Sequence, residues 1–192
     1  MVPSFCISLN EPEQGQLLEI ARQSIESGLA VGSALQLDID NLSGSFSTLS
    51  GTFVTLTQSS QLRGCIGSLE STDPLAQSVA NAAFNAAFRD TRFAPLRAEE
   101  IKHTRVEISV LSELESFAVA NRTELLDRLS IGEDGLLLED GSHRSTFLPK
   151  VWDMVADPEE FLNHLLAKAG LPDDYWSETI RFKRYQALSF GE

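Results

Sequence analysis

Two cysteines in 192 residues, Cys6 and Cys65, are too few for a disulfide scaffold, so stability must come from a buried apolar core. Both thiols are expected free. Three histidines, His103, His143 and His164, stand far apart with no HExxH or CxxC spacing, which argues against a metal centre. No phosphate loop, dinucleotide fingerprint or GxSxG elbow occurs, so no cofactor is expected. No apolar run approaches the roughly 18 residues of a membrane-spanning helix, and the opening MVPSFCISLN lacks the basic and apolar regions of a secretory signal. The expectation is a soluble, cytoplasmic protein without membrane contact. Basic residues are scarce as well: 15 Lys and Arg against 28 Asp and Glu give a net charge of −13. Such a field repels nucleic acid and anionic lipid.

What is present is 42% hydrophobic residues, enough for one sizeable core or two small lobes, and an unusual stretch, LRGCIGSLE, at residues 62–70. Glycine within a strand adds no side-chain contact and weakens it, so two glycines flanking a thiol suggest that something comes close there. Residues 61–105 hold six basic side chains against five acids. The thiol-bearing segment is therefore the least acidic part of the chain and suits a small anionic ligand.

The apolar spacing predicts a helix over 11–28, capped by Asn10 and stopped near Gly28, then a connection with little regular structure over 32–50. From Gly51 the period changes to two. GTFVTLT (51–57) and LRGCIGSLE (62–70), separated by QSSQ, fit a hairpin, with Leu62, Gly64 and Ile66 on one face and Arg63, Cys65 and Gly67 on the other. A helix follows, with Asp73 as its cap and Pro74 at its first position, and TRVEISVLS (104–112) alternates as a strand with Val106, Ile108 and Val110 inward. Residues 125–149 read as short strands broken by Gly-Glu-Asp-Gly and Asp-Gly turns, 157–172 as a helix capped by Asp157, and 179–190 as a last strand. NLS (41–43) and NRT (121–123) match the glycosylation pattern, which has no meaning without secretion. Strands, helix and strand, twice over, point to an α+β protein with a mostly antiparallel sheet and two related halves.

In GTFVTL (51–56), LRGCIGSLE (62–70), PLAQSV (74–79), AAFRDTRFAPL (86–96), VEISVLS (106–112), IGEDGLLL (131–138) and DPEEFLNHLLAKAGLP (157–172), the chain resembles the AMMECR-type domain family, whose prokaryotic members are called AmmeMemoRadiSam system protein A. The resemblance extends over nearly the whole chain, and LRGCIG is a specific motif of it. It implies one domain over 1–192 of two β-β-β-α-α-β repeats, the first about 51–112 and the second about 122–190, around one curved antiparallel sheet. It also implies association with a Memo-type protein and a radical SAM enzyme, and it implies no particular activity.

Around LRGCIG the candidate ligand contacts are Arg63, Gly64, Cys65, Gly67, Arg89 and Arg92. The first functional reading is an accessory protein whose cleft binds a small molecule or a segment of a partner. The alternative is a thiol-dependent enzyme with Cys65 as nucleophile, Arg63 favouring the thiolate and Glu70 or Glu107 moving protons. Each residue also has a structural reading. Cys65 can be a small buried hydrophobe with the glycines serving strand curvature, Arg63 can pair across the sheet with Glu107, and Glu70 can be an exposed strand-end acid. Arg89, Asp90 and Arg92 can complete the helix end and its turn.

Overall fold

The computed structural model describes residues 8–192. Cys6 lies outside them. The chain divides into two compact units: one runs to Leu111 and takes up Leu188–Glu192, and the other is Ser112–Ala187.

The first unit opens with α1 (Glu11–Val31), whose N-terminus is closed by a reciprocal pair: the Asn10 side chain accepts from Glu13 N–H, and the Glu13 side chain accepts from Asn10 N–H. Gly28 does not stop this helix. It leaves room for the Phe88 ring, which a Cβ there would meet at 2.2 Å, and the stop falls at Gly32, in the left-handed region at φ 74°. Two short 3-10 turns (Ile39–Asn41 and Gly44–Ser47) lead to β1 (Thr52–Gln58) and β2 (Gln61–Ser68). Then come α2 (Leu75–Phe88), a 3-10 turn (Ala98–His103) and β3 (Thr104–Leu111). Pro74, not Asp73, occupies the cap of α2, and the Asp73 carboxylate accepts from Asn81 instead.

The second unit holds β4 (Glu115–Ser116), α3 (Arg122–Arg128), β5 (Gly135–Asp140), β6 (His143–Phe147), a 3-10 turn (Pro149–Met154), α4 (Pro158–Lys168) and β7 (Arg181–Tyr185). Part of the stretch read as strand is α3. Its cap is Asn121, which accepts from Glu124 N–H, so the NRT that mimics a glycosylation signal marks a helix start. The run 179–190 is two strands, because β8 (Ala187–Gly191) follows β7 after Gln186 and joins the other sheet.

The α+β class with antiparallel sheets is as expected, and the described residues supply four strands to each unit's sheet: β2-β1-β3-β8 and β4-β7-β5-β6. In the first unit, Leu17, Ala21 and Ile25 of α1 and the alanine-rich surface of α2 pack with Val54, Leu56, Val106, Ile108 and Val110 of the sheet. In the second, Phe161, Leu162 and Leu165 of α4 join Leu136, Leu138 and Phe182, and Trp152 stacks on Phe161 at 4.1 Å. The turn formed by GEDG closes through Asp134, which accepts from Ser130 N–H and whose carboxyl is pushed up by burial. No helix among the described residues is long and apolar enough to cross a membrane.

Candidate functional site

β1 and β2 form a hairpin turned by Ser59 and Ser60, at φ 49° and 64°. The pairing runs regularly from Thr52↔Ser68 to Leu56↔Gly64 and then skips to Thr57↔Leu62, leaving Arg63 as the extra residue of a bulge. A bulge re-aims the side chains around it. Leu62, opposite Thr57, comes onto the face of Cys65, opposite Thr55, so Leu62 leaves the face shared by Gly64 and Ile66. It is 45% exposed there.

Arg63 goes the other way. Its Nε donates to Glu100 Oε1 at 3.0 Å and its Nη2 to Glu100 Oε2 at 3.2 Å, a two-point grip on the 3-10 turn before β3. The same carboxylate accepts from Gln58, whose neighbours on its face are the buried Val54 and Leu56. The Cys65 sulfur lies on the opposite face, where it accepts from the Thr55 hydroxyl at 3.4 Å. The bulge thus separates the guanidinium from the thiol, and Glu100, not Glu107, is the arginine's carboxylate. Hydrogen bonds from Arg63, then from the Arg97 N–H and Gln58, bring the Glu100 carboxyl down to about 2 against the opposing effect of desolvation.

The glycines answer to packing. A Cβ at Gly64 would stand 2.1 Å from the Ala86 carbonyl oxygen, so α2 rests directly on this strand, and a Cβ at Gly67 would stand 2.5 Å from the Phe53 ring. Something does come close to LRGCIG, and it is the protein's own helix and a phenylalanine. β2 is an edge strand, and its outward backbone at Cys65 is closed by the FRDTRF segment. Asp90 accepts from the Cys65 N–H at 2.9 Å, and Arg92 donates to the Cys65 carbonyl at 3.2 Å and to Asp90 at 2.7 and 2.9 Å. Arg92 holds the buried Asp90 carboxyl well below the usual carboxylate range. Arg89 stays apart, with its guanidinium 5.9 Å from the centre of the Phe84 ring. Glu70 is exposed beyond the strand.

Two concavities flank Cys65 along the strand, and the sulfur lines neither. One, of about 350 Å³, has Arg63, Arg97, Phe93 and Pro95 in its wall. The other, of about 180 Å³, lies between Gly67 and Ser68 and the Asn81 and Asn85 side of α2. Arg63 lines the first, and its Nη1 is enclosed by the protein with no acceptor among the described residues. Among those residues no three His, Cys, Asp or Glu stand close enough to hold a metal ion.

Sequence reasoning missed Glu100 and Asp90 as the partners of Arg63 and of the Cys65 N–H. The signal was the bulge, which alternation alone does not reveal. It also missed that Arg105 of β3 stands on the Cys65 face: Arg105 pairs with Thr57, as Glu107 does with Thr55.

The AMMECR1 family model matches residues 18–190. A protein of Methanothermobacter thermautotrophicus is 39% identical over 188 residues, which span 96% of this chain and 96% of that protein. One from Methanocaldococcus jannaschii is 38% identical over 180 residues, 90% of this chain and 86% of its own. The crystal structure of an uncharacterised protein from Pyrococcus horikoshii matches with a TM-score of 0.84 at 32% identity, over 92% of this chain and 90% of that one.

Proposed function

The chain belongs to the AMMECR1 family, and on that footing we propose that it is a cytoplasmic accessory protein that binds an acidic group, from a small molecule or from a segment of a partner, in the hollow beside Arg63. The observation that carries this reading is the arginine's half-used fork. One edge of the guanidinium holds Glu100, while Nη1 is enclosed without an acceptor among the described residues. A buried donor left unmade costs about 1–3 kcal/mol, so an oxygen brought to it gains what the free protein forgoes. Phe93 and Pro95 supply an apolar wall for the body of such a group, and exposed Arg97 lies at the same hollow.

Binding is favoured over thiol chemistry because the cation invoked to activate Cys65 is committed to Glu100 on the other face of the sheet. The partners proposed are the Memo-type protein and the radical SAM enzyme that the family resemblance brings with it. The test is co-purification of each partner with the tagged wild-type protein and with Arg97→Glu. Retention by the wild type and loss in the variant is the expected result; failure of the wild type to retain either partner would sink the accessory role.

A further inference from the structure

The smaller concavity beside Cys65, about 180 Å³ between the end of β2 and α2, plays no part in the reading above. Its volume is the share of about six waters in the liquid, which suits a small molecule. Most of the polar side chains around it are committed to one another. The Ser71 and Ser78 hydroxyls bond each other, Ser68 donates to the Glu70 carbonyl, and the Asn81 amide donates to Asp73 and accepts from Gln77.

Three groups are left over. Thr52 points with Val54 and Leu56 toward α2 and is only 3% exposed. Its hydroxyl nonetheless has no hydrogen-bond partner among the described residues, and its oxygen is not sealed in as Arg63 Nη1 is. A hydroxyl taken from bulk water without a partner is unfavourable, so a group that reaches it restores what was lost. Asn85, one turn along α2 from Asn81, keeps both ends of its amide without a partner among those residues. Gly67 is the third. Cys65 turns its N–H and C=O away from β1, to Asp90 and Arg92, and alternate residues of an edge strand point the same way, so Gly67 presents its own pair outward.

No lysine, arginine or histidine lines the hollow, and its one carboxylate is that of exposed Asp73. Nothing there would hold an anion. Strand addition by a peptide is ill suited as well, because the edge is open for a single residue between the closure at Cys65 and the end of β2 at Ser68.

We infer that this hollow binds a small polyol through adjacent hydroxyls. A hydroxyl donates and accepts at once, which matches the Thr52 hydroxyl, the Asn85 amide and the N–H and C=O of Gly67, while Ile66 and Ala82 give the carbon chain an apolar wall. The site is separate from the Arg63 hollow and stands or falls independently of it.

Erythritol, a four-carbon polyol, is the probe. Titrated into the 15N-labelled protein, it is expected to give saturable shifts at the Gly67 and Ser68 amides and at the Asn85 side-chain NH2. Asn85→Ala should weaken this binding about tenfold, the loss of two neutral hydrogen bonds. Thr52→Val, which keeps the shape and removes only the hydroxyl, should weaken it about fivefold and leave the urea midpoint no lower than in the wild type, since that hydroxyl bonds nothing in the free protein. Inorganic phosphate and ethylammonium should give no saturable shift at the same amides. Erythritol shifts that never saturate, saturation by phosphate or ethylammonium, unchanged erythritol affinity in either variant, or a lowered urea midpoint in Thr52→Val would overturn the assignment.

Discussion

The carboxylate of Asp90 accepts the backbone N–H of Cys65 at 2.9 Å, so one buried side chain substitutes for the missing neighbour of an edge strand. An exposed edge invites pairing with other chains, and this one is closed at its most distinctive residue. Asp90→Ala leaves the Cys65 N–H without its acceptor and Arg92 without its carboxylate. The expected loss is about 3 kcal/mol in urea unfolding, with Asp90→Asn intermediate because its oxygen still accepts. A loss below about 1 kcal/mol would mean that the segment is decorative.

The two glycines to compare are Gly64 and Gly15. Gly64→Ala pushes a methyl into the Ala86 carbonyl, and neither backbone can yield without parting β2 from α2. Unfolding free energy should drop by at least about 3 kcal/mol. At Gly15, on the exposed face of α1, nothing lies within 4 Å of the added methyl, and Gly15→Ala should stabilise by about 0.5–1 kcal/mol.

Stability should fall in acid along a limb that Glu100 partly sets. Its folded value of about 2 lies below the unfolded value of about 4.3, so its contribution is complete above the unfolded pKa and is lost as pH falls toward 2. Asp90, and Asp140 with the hydroxyls of Ser177, Thr179 and Tyr175, are shifted in the same direction. Glu100→Gln should flatten the decline in unfolding free energy between about pH 4.5 and 2, measured by denaturant titration at each pH. An unchanged slope would contradict the Arg63–Glu100 linkage.

If the bulge parts Arg63 from the sulfur, Arg63→Gln will leave the pH–rate profile of Cys65 alkylation as it is in the wild type. Mass spectrometry of the Cys65 peptide distinguishes it from Cys6. A displaced profile in Arg63→Gln would restore the coupled pair.

The hairpin turn has stability in reserve. Ser59→Asn with Ser60→Gly supplies the residues that a left-handed two-residue turn favours and should raise stability by about 1 kcal/mol, read in thermal or urea unfolding.

Signals confined to a few neighbouring residues were legible in the sequence. Asn10 as the cap of α1, Asp157 with Pro158, and the alternation of Val106, Ile108 and Val110 each depend on spacing within one element, and each is found as read. Two of the misreadings depended on a partner distant in the chain. Gly28 looks like a stop until Phe84 and Phe88 are set against it, and Arg63 looks like a companion of Cys65 until the pairing with β1 skips a residue. The run 179–190 keeps its period through Gln186, so no local feature shows that its two parts belong to different sheets. At the candidate site, the motif was visible and the direction of its side chains was not.

The return of Leu188–Glu192 to the first unit dictates an order of events during synthesis. β3 waits on the ribosome with one side bare while all of Ser112–Ala187 is made, since the strand that covers it is β8. The first unit can collapse early but cannot finish its sheet until translation has passed through the second, so a nascent chain stalled short of Leu188 presents an open β3 to every neighbour it meets.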